Sequence, residues 1–91
     1  MNRKEREKLA GYMKALGHPV RLQIVHQLYE LGACFGGDIS SQLPVAASTT
    51  SQHLKILKDS GVITGTTDGP RRCYCIRKEA FLDLKDWLKR L

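Results

Sequence analysis

The chain has 91 residues, 42% of them apolar and 26% charged, with a formal net charge of +6 and an isoelectric point near 9.5. That length gives one small domain whose isolated core is marginal and leans on a second subunit, and the composition excludes a disordered chain. No apolar run approaches the ~20 residues of a membrane helix. The charged opening MNRKEREKLAG has no apolar segment behind it, which argues against a secretory signal. Three cysteines without zinc-finger spacing fit a reducing, cytoplasmic compartment better than a disulfide framework.

Residues 3–16 place Leu9, Tyr12, Met13 and Leu16 on one stripe at helical spacing and stop near Gly17, which predicts a first helix. A second begins at Pro19, a residue suited to the first helical position. It carries Val20, Ile24, Leu28 and Leu31 on one side and Leu22, Val25 and Tyr29 on another, so it is expected to be the central, most enclosed helix. GACFGG suffices only for a connecting strand; Asp38 then caps a short third helix that carries Ile39 and Leu43 and is closed by Pro44. The stretch STTSQHLKILKDSGVI follows. Thr50, Leu54 and Leu57 make the inner stripe of a fourth helix ended by Gly61, while Ser48, Thr49, Ser51, Gln52 and Lys55 fall on the opposite side. VITGTT and RRCYCI flank the turn DGP and predict a hairpin with a basic return strand. From about Lys78 the last helix spaces Phe81, Leu84, Leu88 and Leu91 three and four residues apart beside Trp87, a narrow seam suited to a partner helix.

Serine and threonine are mediocre in helix interiors because their hydroxyls compete for backbone groups, so the polar opening of the fourth helix needs a reason. The basic residues supply one. At both ends of the chain they are interleaved with Glu5, Glu7, Asp83 and Asp86, as on a solvated helix face, whereas Lys55, Lys58, Arg71, Arg72 and Arg77 face only Asp59 and Asp68. A short helix, a turn, a helix with an exposed polar first half and a basic hairpin specify a winged helix-turn-helix. The second helix of such a pair enters the major groove, where Ser, Thr and Gln reach base edges and Lys reaches phosphate.

The expected fold is therefore mainly α with a small β-hairpin wing, ordered α-α-(β)-α-α-β-β-α, as one domain over residues 1–91. Its candidate DNA contacts are Ser48, Thr49, Ser51 and Gln52 toward bases, and Lys55, Arg71 and Arg72 toward the backbone. No nucleophile–base pair, phosphate-binding glycine loop or metal-activating Glu stands at a useful spacing, so no enzyme is expected. The alternative is a winged-helix module that binds protein rather than DNA.

LGHPVRLQIV (16–25), GDISSQLPVAASTTSQHLKILKDSGVI (37–63) and DGPRRCYCI (68–76) together resemble the ArsR/SmtB-type bacterial transcriptional repressors. The resemblance covers most of the chain, and its specificity lies in the set, not in any one piece. It implies a homodimer with residues 3–16 and 78–91 at the interface. It also implies binding to a double-stranded operator, release by an effector, a recognition helix at about Ser48 to Ser60 and a wing at about Ile63 to Ile76.

Departures from the family pattern bear on the effector and on capping. The paired cysteines that often precede the third helix of metal sensors are reduced to Cys34, displaced from that position, and residues 78–91 hold no histidine for the last-helix type of metal site. Ala46 stands where a capping Ser is common, so the recognition helix either begins at Ser48 with Ser51 as reciprocal partner or is poorly capped.

The remaining chemistry lies in the thiols and imidazoles. Cys73 and Cys75 are two apart in a strand and share a face, with Tyr74 and Ile76 on the other. In a winged helix the connecting strand pairs with the wing's return strand, which brings Cys34 near Cys75. Thiols so gathered make a candidate sensor that takes a soft metal or metalloid, or oxidises reversibly; small buried hydrophobes are the plain alternative. A reversible or metal-bridged link is expected in preference to a permanent bond, because directly opposed strand positions strain a disulfide. Beyond such an ion no cofactor is called for. His53, beside the inner stripe, is expected to pack or to bond the backbone, His18 to start a helix, and His26 to face solvent.

Overall fold

The Asn2 side chain opens the first helix by accepting the Glu5 amide (2.9 Å), and α1 runs over Arg3–Leu16 with Leu9, Tyr12 and Ala15 buried. The computed structural model describes residues 1–37, 39–66 and 73–91. His18 caps α2 (Pro19–Glu30) by accepting the Val20 amide on Nδ1 (3.1 Å), as its place before proline predicts. Only one face of α2 is enclosed. Ile24, Val25 and Leu28 are buried, but Leu22 and Tyr29 stand in solvent, which corrects the expectation of a helix covered on both sides. Among the described residues α1, α3, β1 and β3 pack against α2, and they leave Leu22 and Tyr29 uncovered.

Two successive left-handed residues, Gly32 (φ 91°) and Ala33 (φ 73°), reverse the chain after α2 and lead into β1 (Cys34–Gly36). The expected third helix is a single 3-10 turn, Ile39–Gln42, that still buries Ile39 and Leu43. Leu43 precedes Pro44 and is biased away from the α region, so the segment closes through the short Leu43 amide to Ser40 carbonyl bond (3.1 Å). The proposed cap, Asp38, lies outside the described residues, as does the DGP turn of the wing.

α3 spans Ala47–Ser60 and buries Thr50, Leu54 and Leu57 as its spacing predicts. Gly61 ends it in the left-handed region at φ 86°. The antiparallel strands β2 (Ile63–Thr66) and β3 (Cys73–Ile76) follow, and β3 lies between β1 and β2. Gly65 sits opposite Tyr74, and a Cβ there would meet the ring at 2.6 Å, so only glycine lets this buried aromatic lie across the hairpin.

Arg77 carries the chain from the sheet into α4 (Lys78–Lys89). Its amide donates to the Val62 carbonyl (3.0 Å), and its guanidinium donates to Tyr12 Oη (3.2 Å) and the Gly61 carbonyl (3.4 Å). The expected seam on α4 divides. Leu84 is 9% exposed and belongs to the chain's own core with the half-buried Phe81 and Trp87, whereas Leu88 and Leu91 are 58% and 82% exposed. The spacing alone does not separate them, because α1 takes up the inner part of the stripe within the same chain.

The start of α3 is open to improvement. Ala46 has the extended geometry of an N-cap (φ −62°, ψ 154°) but no side-chain oxygen, so of the two starts read from the sequence the uncapped one is correct, one residue earlier than Ser48. Ala46→Ser supplies that oxygen and is expected to add about 0.5–2 kcal/mol of stability. Thermal unfolding would register this as a rise of several degrees for a domain of this size.

Candidate nucleic-acid interface and thiol pair

With Thr50, Leu54 and Leu57 turned into the core, the phase of α3 leaves Ser48, Ser51, Gln52 and Lys55 exposed on one outer surface; Thr49, at its edge, is half-buried. The Thr50 hydroxyl, the polar group that this stripe buries, donates to the Ala46 carbonyl (3.1 Å) and needs no outside partner. Lys58 extends the exposed basic line by one turn. Arg77, grouped with these cations by sequence, is instead turned inward to Tyr12 and Gly61, and the Tyr12 hydroxyl bond raises its pKa further. Arg71 and Arg72 lie outside the described residues.

Beside that surface sits a cluster that sequence patterns do not reveal. His18 and His53 pack ring on ring, centroids 4.5 Å apart. The Arg21 guanidinium reaches His53 Nδ1 (3.3 Å) and also donates to the carbonyls of Lys14 (3.4 Å) and Ala15 in the last turn of α1. Arginine is always a donor, so His53 Nδ1 must be an acceptor and the ring neutral, with its proton on Nε2. Desolvation, followed by the His18 ring and the Arg21 charge, pulls the His53 pKa below the ordinary value of 6.5. His53 is therefore packed, as expected, against side chains and not the backbone. Arg21 is the residue of this cluster missed in the sequence; its one signal was being the sole Lys or Arg in α2. His26 faces solvent and pairs with Glu30 (3.0 Å).

The sheet brings the cysteines together as its register requires. Cys34 pairs with Cys75 and Gly36 with Cys73, and the two sulfurs of Cys34 and Cys75 form a disulfide, with Cα atoms 4.0 Å apart. A direct bond thus stands where a reversible or metal-bridged link was expected; it is not the metal-bridged form. Cys34 is exposed and Cys75 half-buried, so neither the bond nor the free, exposed Cys73 is sealed in the core, and the thiols are not the buried hydrophobes of the alternative reading. Among the described residues no group of three or more His, Cys, Asp or Glu is arranged to hold a metal ion. With two sulfurs spent on each other, only reduction would free a three-thiol donor set. The bonded pair is 41 residues apart and encloses the 3-10 turn, α3 and β2.

Comparison with known proteins identifies the architecture. Residues 18–64, from the cap of α2 into β2, match the family described as "Bacterial regulatory protein, arsR family". The HTH-type transcriptional regulator YgaV of Escherichia coli (strain K12) is 36% identical over 74 residues, which cover 81% of this chain and 75% of that protein. The cadmium resistance transcriptional regulatory protein CadC of Listeria innocua is 36% identical over 81 residues, 86% of this chain and 66% of CadC. The crystal structure of an ArsR family transcriptional regulator superposes with a TM-score of 0.78 at 27% identity, covering 93% of this chain and 87% of that one. The chain therefore belongs to the arsR family of bacterial transcriptional regulators, DNA-binding proteins of winged helix-turn-helix fold.

Proposed function

We propose that the chain is a cytoplasmic repressor that works as a twofold dimer, reads a palindromic operator with α3, and leaves it when an effector acts on its thiols. The observation that carries this reading is the outward presentation of Ser48, Ser51, Gln52 and Lys55 on a helix anchored by three buried side chains. Gln52 is the first choice for adenine, since its amide both donates and accepts; Ser48, Thr49 and Ser51 are the further base contacts, and Lys55, Arg71 and Arg72 hold phosphates. Selection of bound sequences from a random duplex pool supplies the operator, with half-sites about one helical turn or a multiple apart. On that duplex Gln52→Ala is expected to cost on the order of 1–3 kcal/mol at one base position. Arg71→Ala and Arg72→Ala should weaken all sequences alike and lower the salt slope by roughly one. Base preference left intact by Gln52→Ala removes that assignment.

The dimer reading rests on apolar surface that one chain does not cover. α1 and α4 lie side by side, tied by Lys8 and Asp83 (2.9 Å), and α4 leaves Leu82, Leu88 and Leu91 exposed. Leu88→Glu places a charge in that surface without touching the chain's own core, unlike Leu84→Glu. Sedimentation is expected to find the Leu88 variant monomeric at micromolar concentration, and a fully dimeric variant excludes this interface.

For release, a reducing compartment keeps thiols reduced, so a Cys34–Cys75 bond there forms only under oxidation and then reports it. A small disulfide oxidises the pair by accepting its two electrons and leaving as two thiols. The reduced cysteines would offer three sulfurs to a soft cation such as cadmium, the metal for which the relative CadC is named. Either link restrains β1 against the wing, and coupling of ~1–3 kcal/mol to operator affinity is expected. Operator binding by the wild-type chain should drop with oxidised glutathione or a cadmium salt and recover with dithiothreitol. Cys34→Ser should bind like the reduced chain and ignore both. A variant that still responds eliminates the thiol reading.

A further inference from the structure

We infer that Arg21 and His53 are positioning residues that clamp the reading helix to α1 and α2, and that operator binding requires His53 to stay neutral. This rests on the reading of α3 as the DNA helix, but on a separate observation. One guanidinium spans two elements. It donates to the carbonyls of Lys14 and Ala15, at the end of α1 where the helix dipole is negative, and to His53 Nδ1 on α3. The ring of His53 is in turn packed on His18, whose own Nδ1 is used as the cap of α2. His53 directly follows Gln52, so its setting fixes the helix flank next to the residue expected to read a base.

Both imidazoles are held in the one tautomer that leaves Nδ1 a lone pair, and a proton on either Nδ1 removes an acceptor. Protonated His53 would also set a cation between Arg21 and His18. Among the described residues no acid contributes to the electrostatics at His53. The titratable groups against His53 are His18 and Arg21 from α2; α1 offers the Lys14 carbonyl through Arg21, with Tyr12 turned to Arg77. The 3-10 turn Ile39–Gln42 and β2 (Ile63–Thr66) contain no Asp, Glu, Lys, Arg or His, and Thr49, Thr50, Ile56 and Leu57, one turn away on α3, are uncharged. Because the pKa of His53 is lowered from 6.5 in the fold, the clamp's contribution to stability is present above that value. It is lost as pH falls through it and on through the folded pKa.

The sign separates this clamp from bulk electrostatics. A chain of net charge +6 gains positive charge on acidification and should bind DNA more tightly. A protonated clamp predicts the reverse, a weakening of roughly five-fold or more between pH 8 and pH 5.5 at constant salt. The test titrates affinity for the duplex selected from the random pool, for wild type, for His53→Asn, and for His18→Asn combined with His53→Asn. Asparagine keeps an acceptor near the Nδ1 position but cannot be protonated, so His53→Asn and the double variant should both lose the acid weakening. Imidazole nitrogen shifts of the DNA-free chain should find His53 neutral with its proton on Nε2 and titrating below the ordinary value. Tighter wild-type binding in acid, an acid loss unchanged in His53→Asn, or an Nδ1–H tautomer would overturn the inference. A chain with the expected tautomer and titration but no salt-dependent duplex binding would instead refute the DNA reading and confine the clamp to folding.

Discussion

The rotational setting of α3 is the constraint on which the other features depend. A helix turns through about 100° per residue, so once Thr50, Leu54 and Leu57 face the core, every other side chain of α3 has its direction fixed. Leu57 is fully buried against a core shared with Ile24, Leu28 and Val62, and a one-residue slip would bring Lys55 and Lys58, or Thr49 and His53, toward that core. Burying such a polar group without a partner costs on the order of 1–3 kcal/mol, comparable with the worth of the apolar side chain it displaces. Thr50 escapes that cost because the Ala46 carbonyl one turn back accepts its hydroxyl. The same packing that stabilises the chain therefore presents the polar face proposed to read DNA.

That logic explains which parts of the fold were legible in the sequence. The four long helices, the wing strands and the pairing of Cys34 with Cys75 follow from local periods of 3.6 and 2 combined with one topological rule, that the connecting strand joins the wing's return strand. What was not legible depends on distant partners. His18 and His53 are far apart in sequence and on different helices, and no periodicity announces their contact. Leu84 and Leu88 read alike on a helical wheel, yet one is buried in the core and the other is left exposed. The 3-10 turn was misread because Asp38 and Pro44 are sound helix boundaries by residue type, and the five residues 39–43 between them are too few for a settled α-helix.

The sheet is a second constraint, independent of the helices. Tyr74 and Ile76 are buried on one face of β3, which turns Cys73 and Cys75 to the other. Register follows from the hydrophobic face, since a slip of one residue would expose Tyr74 and Ile76 and bury the cysteines. Gly65 reinforces it, because the Tyr74 ring fits over that position alone in β2. The thiol chemistry of this chain is thus a by-product of strand alternation. It needs no dedicated loop, which is why it can sit beside the reading unit without altering the core.

α1 grips the reading unit at two points. Near the first half of α3 the grip runs from the Lys14 and Ala15 carbonyls through Arg21 to His53, and at the far end from Tyr12 through Arg77 to the Gly61 carbonyl. Two attachments at different heights along a helix fix its direction, where one would leave a pivot. If α1 also lies in the dimer interface, each reading helix is braced directly by the element that sets the distance between half-sites, and operator spacing is built into the same few hydrogen bonds. The disulfide lies outside that brace, between β1 and β3. On the proposed thiol reading, an effector there has least to work against in the sheet and most in α3, so its restraint should fall on the wing's approach to the backbone, where it would alter affinity for every sequence before it alters which sequence is preferred.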